Sequence, residues 1–382
     1  MSRNYRIPFV LTVLTLALAG CSSNKVKVEE AKPNPLPKIT ATKSLAPVYS
    51  QSVSSTSEKD PLRLQLDVDN GVIFAVDPKG TVSAHRGKQR LWQKQVTKQG
   101  LTAGVEAAEG TVIVGNKKGE LFALDQATGD LKWQAQLSGA ILAPSLVQEN
   151  RVITLGNNGV VYAHNLATGQ QVWTYNLPSV QFSLRGTASP ITLDQRTVLV
   201  ASANSYVYAL DVLTGIPRMQ RRVSISDGRS DIQRLNDIDG DPVVAGQFLI
   251  TTSYQGQLTV LDLTTQQVVW SEESSSIKSP EVIGNGVFVS SADGKITAYE
   301  ITSGQKIWEN DSLLNRKLSN PVFLGEELVV GDLDGYLHVL DPHNGQIIGR
   351  SKTSGEVRSL RSIDNQLYVS TQKGALSVWQ NR

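Results

Sequence analysis

Few residues in this chain have the type and spacing that chemistry needs. The only cysteine among 382 residues is Cys21, at the end of the stretch "LAGC", so no internal disulfide can form. The four histidines, His85, His164, His338 and His343, lack metal-ligand spacing. The stretch "DIDGDP" (237–242) spaces its carboxylates as a calcium loop does. Its sixth residue, however, is Pro242 where such a loop needs Gly, and its twelfth is Phe248 where a bidentate Glu belongs. No G-x-S-x-G elbow, P-loop or dinucleotide glycine motif occurs. No catalytic residue, metal site or cofactor is expected. What remains suits binding. Phe182 and Leu184 alternate and are followed at once by Arg185, and Asp237 and Asp239 also alternate. In extended backbone each pair projects from one side.

The N-terminus gives Cys21 a use. Arg3 and Arg6 precede an apolar run over 7–19, too short to span a bilayer comfortably and suited to a secretory signal. Small residues immediately before a cysteine match the bacterial lipobox, which implies cleavage before Cys21 and lipidation of its thiol and amine. Ser22, rather than Asp, reads as an outer-membrane address with the body in the periplasm. Removing residues 1–20 takes away Arg3 and Arg6 and no acid, leaving 35 basic against 35 acidic side chains. A neutral body carries no broad electrostatic footprint for nucleic acid. Residues 21–46, with "EEAKPNPLPK", read as a flexible lipid-anchored tether, and 47–382 as the folded domain.

That domain is repetitive. Eight strand-like copies begin at Gly80, Gly119, Gly159, Ser205, Gly256, Gly294, Gly335 and Gly374, at spacings of 39, 40, 46, 51, 38, 41 and 39 residues. The period is that of four-stranded propeller blades. β-branched runs such as "TVIVGN" and "FLITTS" precede each copy, and no segment sustains a helical period. Asp125, Asp211, Asp262 and Asp341 open the following turn, and Gly129, Gly169, Gly215, Gly304 and Gly345 sit near its end. Trp92, Trp133, Trp173, Trp270 and Trp308 then fall at one repeat position, as apolar wedges between neighbouring blades. The eighth copy ends at Arg382 without a Trp-bearing strand. "VYSQSVS" (48–54) matches "KWQAQLS" (132–138) with Tyr49 in the Trp place, so a strand from the N-terminus is expected to close the ring. The fold class is all-β, an eight-bladed propeller.

The unit "ALDxxTGxxxW" resembles the repeat of pyrroloquinoline-quinone dehydrogenases. Those enzymes carry a vicinal disulfide and a calcium site, and one cysteine rules out the first. A quinone-dependent dehydrogenase and a carbohydrate- or peptidoglycan-binding propeller stand as the alternatives to a scaffold.

The two long spacings are adjacent and contain "LPSVQFSLRGTASP" (177–190) and "SDGRSDIQRLNDIDGDPV" (226–243). Variation in a repeat array collects in such loops. Phe182 and Leu184 suit the inward face of a strand, or an apolar ledge beside an Arg of the kind enriched at binding hot spots. Asp237 and Asp239 suit turn formation, or an acidic pair that orients Arg185 or meets a partner. The lipobox, the repeats, "SLRG" and "RLNDIDGDPV" together resemble the BamB family, lipoproteins of the outer-membrane β-barrel assembly machinery. The resemblance implies binding to a periplasmic POTRA domain of BamA, company with other subunits of that complex, and help in inserting nascent β-barrel proteins. It also implies that Phe182, Leu184, Arg185, Asp237 and Asp239 bind the partner. Phe182 stands where the family has Leu, which keeps an apolar contact of different shape.

Overall fold

The computed structural model describes residues 31–55, 63–178, 188–203, 205–224, 238–254 and 256–382. Residues 33–382 form one compact unit built of β-strands and turns. Its strands pair into eight sheets, each built on four antiparallel strands; the second gains a short fifth strand, Arg63–Leu64, which pairs parallel to its innermost strand. Blades 1 to 7 cover 67–95, 103–136, 146–176, 191–222, 243–273, 281–310 and 322–352. Blade 8 takes three strands from 357–381 and its outer strand, Leu45–Ser52, from the other end of the chain. Ser50 faces Ser377, and Tyr49 faces Val378 just past a bulge. Trp133 faces Ala123 just past the same kind of bulge, so Tyr49 occupies the Trp place as expected.

The second and third strands of the blades are almost wholly buried, as in Val72–Val76 and Glu120–Asp125. β-branched and aliphatic residues fill both of their faces because each blade is covered by a neighbour on either side. The apolar clusters accordingly straddle blades: Phe74, Val82 and Trp92 of blade 1 pack with Val112, Val114 and Phe122 of blade 2. The closing seam is packed in the same way, with Tyr368, Leu376 and Val378 against Leu66 and Ile73.

The wedges are seated by hydrogen bonds. The indole N–H of Trp92, Trp133, Trp173, Trp270 and Trp308 donates to the carbonyl of Gln126, Leu166, Val212, Ile301 and Pro342, at 2.7–3.0 Å. Each acceptor lies in a turn of the next blade. The glycine of that turn lies under the indole: a Cβ on Gly169, at φ +70°, would stand 2.6 Å from Trp133 Cδ2. Blade 4 loses both the Trp and the glycine that would receive it. Blade 4 has Met219 in the Trp place, and the turn that receives it in blade 5 has Gln266 at φ 57°.

Blade 7 has Gly349 in the Trp place, facing Val339. The space is filled by the N-terminal segment, and a Cβ on Gly349 would stand 2.4 Å from the Lys43 carbonyl oxygen. The expected tether to residue 46 therefore differs from the described chain, which is bonded to the body from Asn34 onward. Asn34 donates to the Leu314 carbonyl and accepts from Arg316 Nη1 at 2.9 Å. Arg350 Nη2 donates to the Pro37 carbonyl, Thr42 and Lys43 donate to the Ile348 carbonyl, and Lys43 pairs with Glu327. Leu36 packs against the cluster that holds Trp308 and Phe323. The composition of this strap suggested a tether because its own polar and proline residues hold no core; its hydrogen-bonding partners and its apolar seat come from blades 6 and 7 and the crossing between them.

Because strands alternate in direction, the turns of every blade sort onto two faces. Turns from first to second and from third to outer strand share one, here the turn face. Turns from second to third strand, and the crossings from one blade to the next, share the other, here the loop face. Contacts agree with this sorting: Arg316, in the crossing to blade 7, binds Asp332 and Asp334 in that blade's second turn.

Candidate partner-docking site

Both elongated crossings spring from the loop face, on either side of blade 4. Their roots are buried in one apolar cluster. Ala188 ends the first loop, and Val223 and Ile238 bracket the second. All three pack with Leu199, Met219, Leu249 and Leu261. Ala188 is fully buried and Ile238 is 1% exposed, so the loops are long while their ends are fixed.

The ends are also bonded to each other. The Ser189 N–H donates to Asp241 Oδ1 at 2.7 Å, and the Asp241 N–H donates to Ser279 Oγ at 3.0 Å. Ser189, Asp241, Ser279 and Asn320 each precede a proline that leads into an inner strand. Proline has no N–H to give, so the residue before it supplies the polar link to the neighbouring blade. The link recurs around the ring in different chemical forms. Asp67 Oδ2 accepts from the Ala107 N–H, Glu106 Oε1 from the Val147 N–H, and Asn320 exchanges two bonds with the Leu360 backbone. Gln148 Nε2 donates to the Asp194 carbonyl, the Phe323 N–H donates to Glu281, and Arg361 Nη1 donates to Leu66 O and Asp67 Oδ1. Burial pushes the Glu106 carboxyl up to about 7, with nearby Asp67 adding to the rise, and pushes Glu281 up to about 7.

Of the expected partner-binding residues, Phe182, Leu184, Arg185 and Asp237 lie outside the described residues, as does Cys21. Asp239 is described and only 5% exposed, at the buried root of its loop. Next to it a Cβ on Gly240 would stand 2.4 Å from Thr252 Oγ1 and 2.6 Å from the Lys278 carbonyl oxygen, so the D-G-D-P run is tight for a packing reason. The residues that hold the two loops together, Ser189 and Asp241, were not singled out in the sequence. The signal was present: both fall inside the quoted loop motifs, each immediately before a proline.

The histidines are structural where they are buried. His85 Nε2 lies 2.9 Å from Ser83 Oγ, and His338 Nε2 lies 3.0 Å from Asp332 Oδ2. His164 stacks 6.3 Å from Trp133, and burial lowers its pKa to about 4. Among the described residues, no three His, Cys, Asp or Glu side chains come together as metal ligands.

A buried base from which two long loops spring has the form of a docking site, and comparison with known proteins gives the chain's family. The family model described as "Outer membrane protein assembly factor BamB" matches residues 69–310 and 274–382. The chain belongs to the BamB family. A Yersinia pestis BamB is 30% identical, over 94% of this chain and 95% of its own length. The crystal structure of Moraxella catarrhalis BamB superposes with a TM-score of 0.82 at 36% identity, covering 88% of this chain and 99% of that one. A quinohemoprotein alcohol dehydrogenase from Comamonas testosteroni also superposes, with a TM-score of 0.69 at 14% identity, a likeness of fold alone. That likeness accounts for the quinoprotein character of the repeat: BamB and the dehydrogenase build the same kind of blade.

Proposed function

We propose that this chain is a non-enzymatic scaffold subunit of the outer-membrane protein assembly machinery. In this reading Cys21 carries the lipid anchor, the body lies at the periplasmic face of the outer membrane, and the loop face docks a periplasmic POTRA domain of BamA. The observation that carries the reading is the Ser189–Asp241 bond, which joins the described ends of the two long loops on a buried base. Phe182 and Leu184 then supply an apolar ledge and Arg185 a planar donor, the residue types that concentrate binding energy. Asp237 and Asp239 supply the acidic counterpart, with Asp239 acting from the loop's root to position Arg185. Docked in this way, the subunit assists insertion of nascent β-barrel proteins and works alongside the other subunits of the complex.

Affinity purification of the tagged chain from solubilised envelopes tests the reading. Recovery of BamA as the main partner supports it. Stoichiometric uptake of added quinone and calcium with dye reduction supports the dehydrogenase instead, and retention on peptidoglycan supports the glycan-binding propeller.

A further inference from the structure

We propose that blades 7, 8, 1 and 2 present, on the loop face, a membrane-facing surface that rests against anionic phospholipid headgroups. The proposal rests on the reading of Cys21 as the lipid anchor and adds to it which side of the body the bilayer meets. Two independent observations converge on this arc.

The first is charge. The mature chain is neutral overall, yet its charges are sorted by topology. The repeat places an acid at the start of the turn from third to outer strand, so Asp125, Asp262, Glu300 and Asp341 all fall on the turn face. Exposed Glu109, Glu149, Asp194, Glu326 and Asp364 join them there, against the exposed cations Arg86, Lys88 and Arg196. The loop face has the opposite balance. Lys79 in blade 1, Lys98 in the crossing to blade 2, Lys117 and Lys118 in blade 2, Lys317 beside blade 7 and Lys373 in blade 8 are all exposed. Two exposed acids are described on this arc of the loop face, Asp311 in the crossing to blade 7 and Asp334, which is paired with Arg316. These lysines lie on the far arc of the ring from the two long loops, which leaves the docking site clear.

The second is where the chain enters the body. The strap begins at Asn34, bonded to Leu314 and Arg316 in the crossing from blade 6 to blade 7, on the loop face. Eleven residues, 22–32, separate Cys21 from Pro33. At about 3.5 Å per residue their full reach is roughly 40 Å, where a tether running to residue 46 would reach about twice as far. An anchor this short, attached to the basic face, brings that face to the headgroups, where each lysine near an anionic surface strengthens association roughly fivefold.

Site-specific quenching tests the proposal on the full mature chain. A thiol-reactive fluorophore is placed at Gln99→Cys on the loop face and, in a second variant, at Ala127→Cys on the turn face of neighbouring blade 2. Vesicles of phosphatidylethanolamine and phosphatidylglycerol carry a headgroup-located quencher. The expected result is severalfold stronger quenching at residue 99 than at residue 127, with the difference reduced by high salt and by the variant K79E/K98E/K118E/K373E. Equal quenching at both sites, or stronger quenching at residue 127, overturns the proposal. The mass of the N-terminal peptide reports acylation of Cys21 separately. The same comparison with Cys21→Ser added to anionic vesicles tests the charged arc without the anchor: preferential quenching at residue 99 supports it, and quenching indifferent to phosphatidylglycerol rejects it.

Discussion

The backbone N–H of Ser189 donates to Asp241 Oδ1 at 2.7 Å, and this bond joins the roots of the two elongated loops on the loop face. Asp241 is itself held to the next blade through Ser279 Oγ, so the joint is braced on both sides.

Asp241→Ala leaves the Ser189 N–H without this acceptor and should cost about 1–3 kcal/mol, read as a lowered midpoint in denaturant unfolding. Asp241→Asn keeps an oxygen at the same place and should recover most of the loss. Equal destabilisation by both variants would mean that the Ser189 bond is not what stabilises the joint.

The indole wedges depend on glycines in the receiving turns. Gly169→Ala brings a Cβ against Trp133 and meets a φ of +70°, so it should lower the thermal midpoint by several degrees. Trp133→Ala should cost about 3–5 kcal/mol. In the double variant the two losses should fall well short of additive, because removing the indole removes the clash.

Gly349→Trp restores the repeat's usual residue and should nevertheless destabilise, because the Lys43 carbonyl occupies that space. Hydrogen exchange checks the cause: the Thr42 and Lys43 amides, bonded to Ile348 O, should lose protection in this variant. Unchanged protection there would show that the strap does not fill the Trp place.

Burial raises Glu106 and Glu281 to about 7, so the folded chain holds protons that the unfolded chain releases near pH 4.5. Their contribution is present at low pH and is lost as the pH rises from the unfolded value through about 7. Glu106→Gln keeps the acceptor for the Val147 N–H and should flatten the fall in stability across that window. Denaturant midpoints measured at several pH values read the slope; an unchanged slope in both Glu106→Gln and Glu281→Gln would remove these groups as its source.

How far the sequence carries follows from which interactions are local. Period, turn chemistry and the Trp position are written into each unit, so blade class, blade number and closure by the N-terminal strand were legible. Tyr49 was readable as a Trp surrogate from seven aligned residues. The strap was not legible, because Arg316, Arg350 and Gly349 lie some 300 residues from the carbonyls they meet. The Ser189–Asp241 joint was hidden for a similar reason: an Asp before a Pro reads as a turn until the neighbouring blade supplies its partner. Charge sorting was invisible to a net charge of zero and became visible only once topology assigned each turn to a face.

Docking of BamA on the two long loops is tested most directly by quantitative co-purification of BamA with Leu184→Ala/Arg185→Glu. BamA recovery should fall to background while the purified variant keeps the thermal midpoint of the unaltered chain. Undiminished BamA recovery with a folded double variant would contradict docking on these loops.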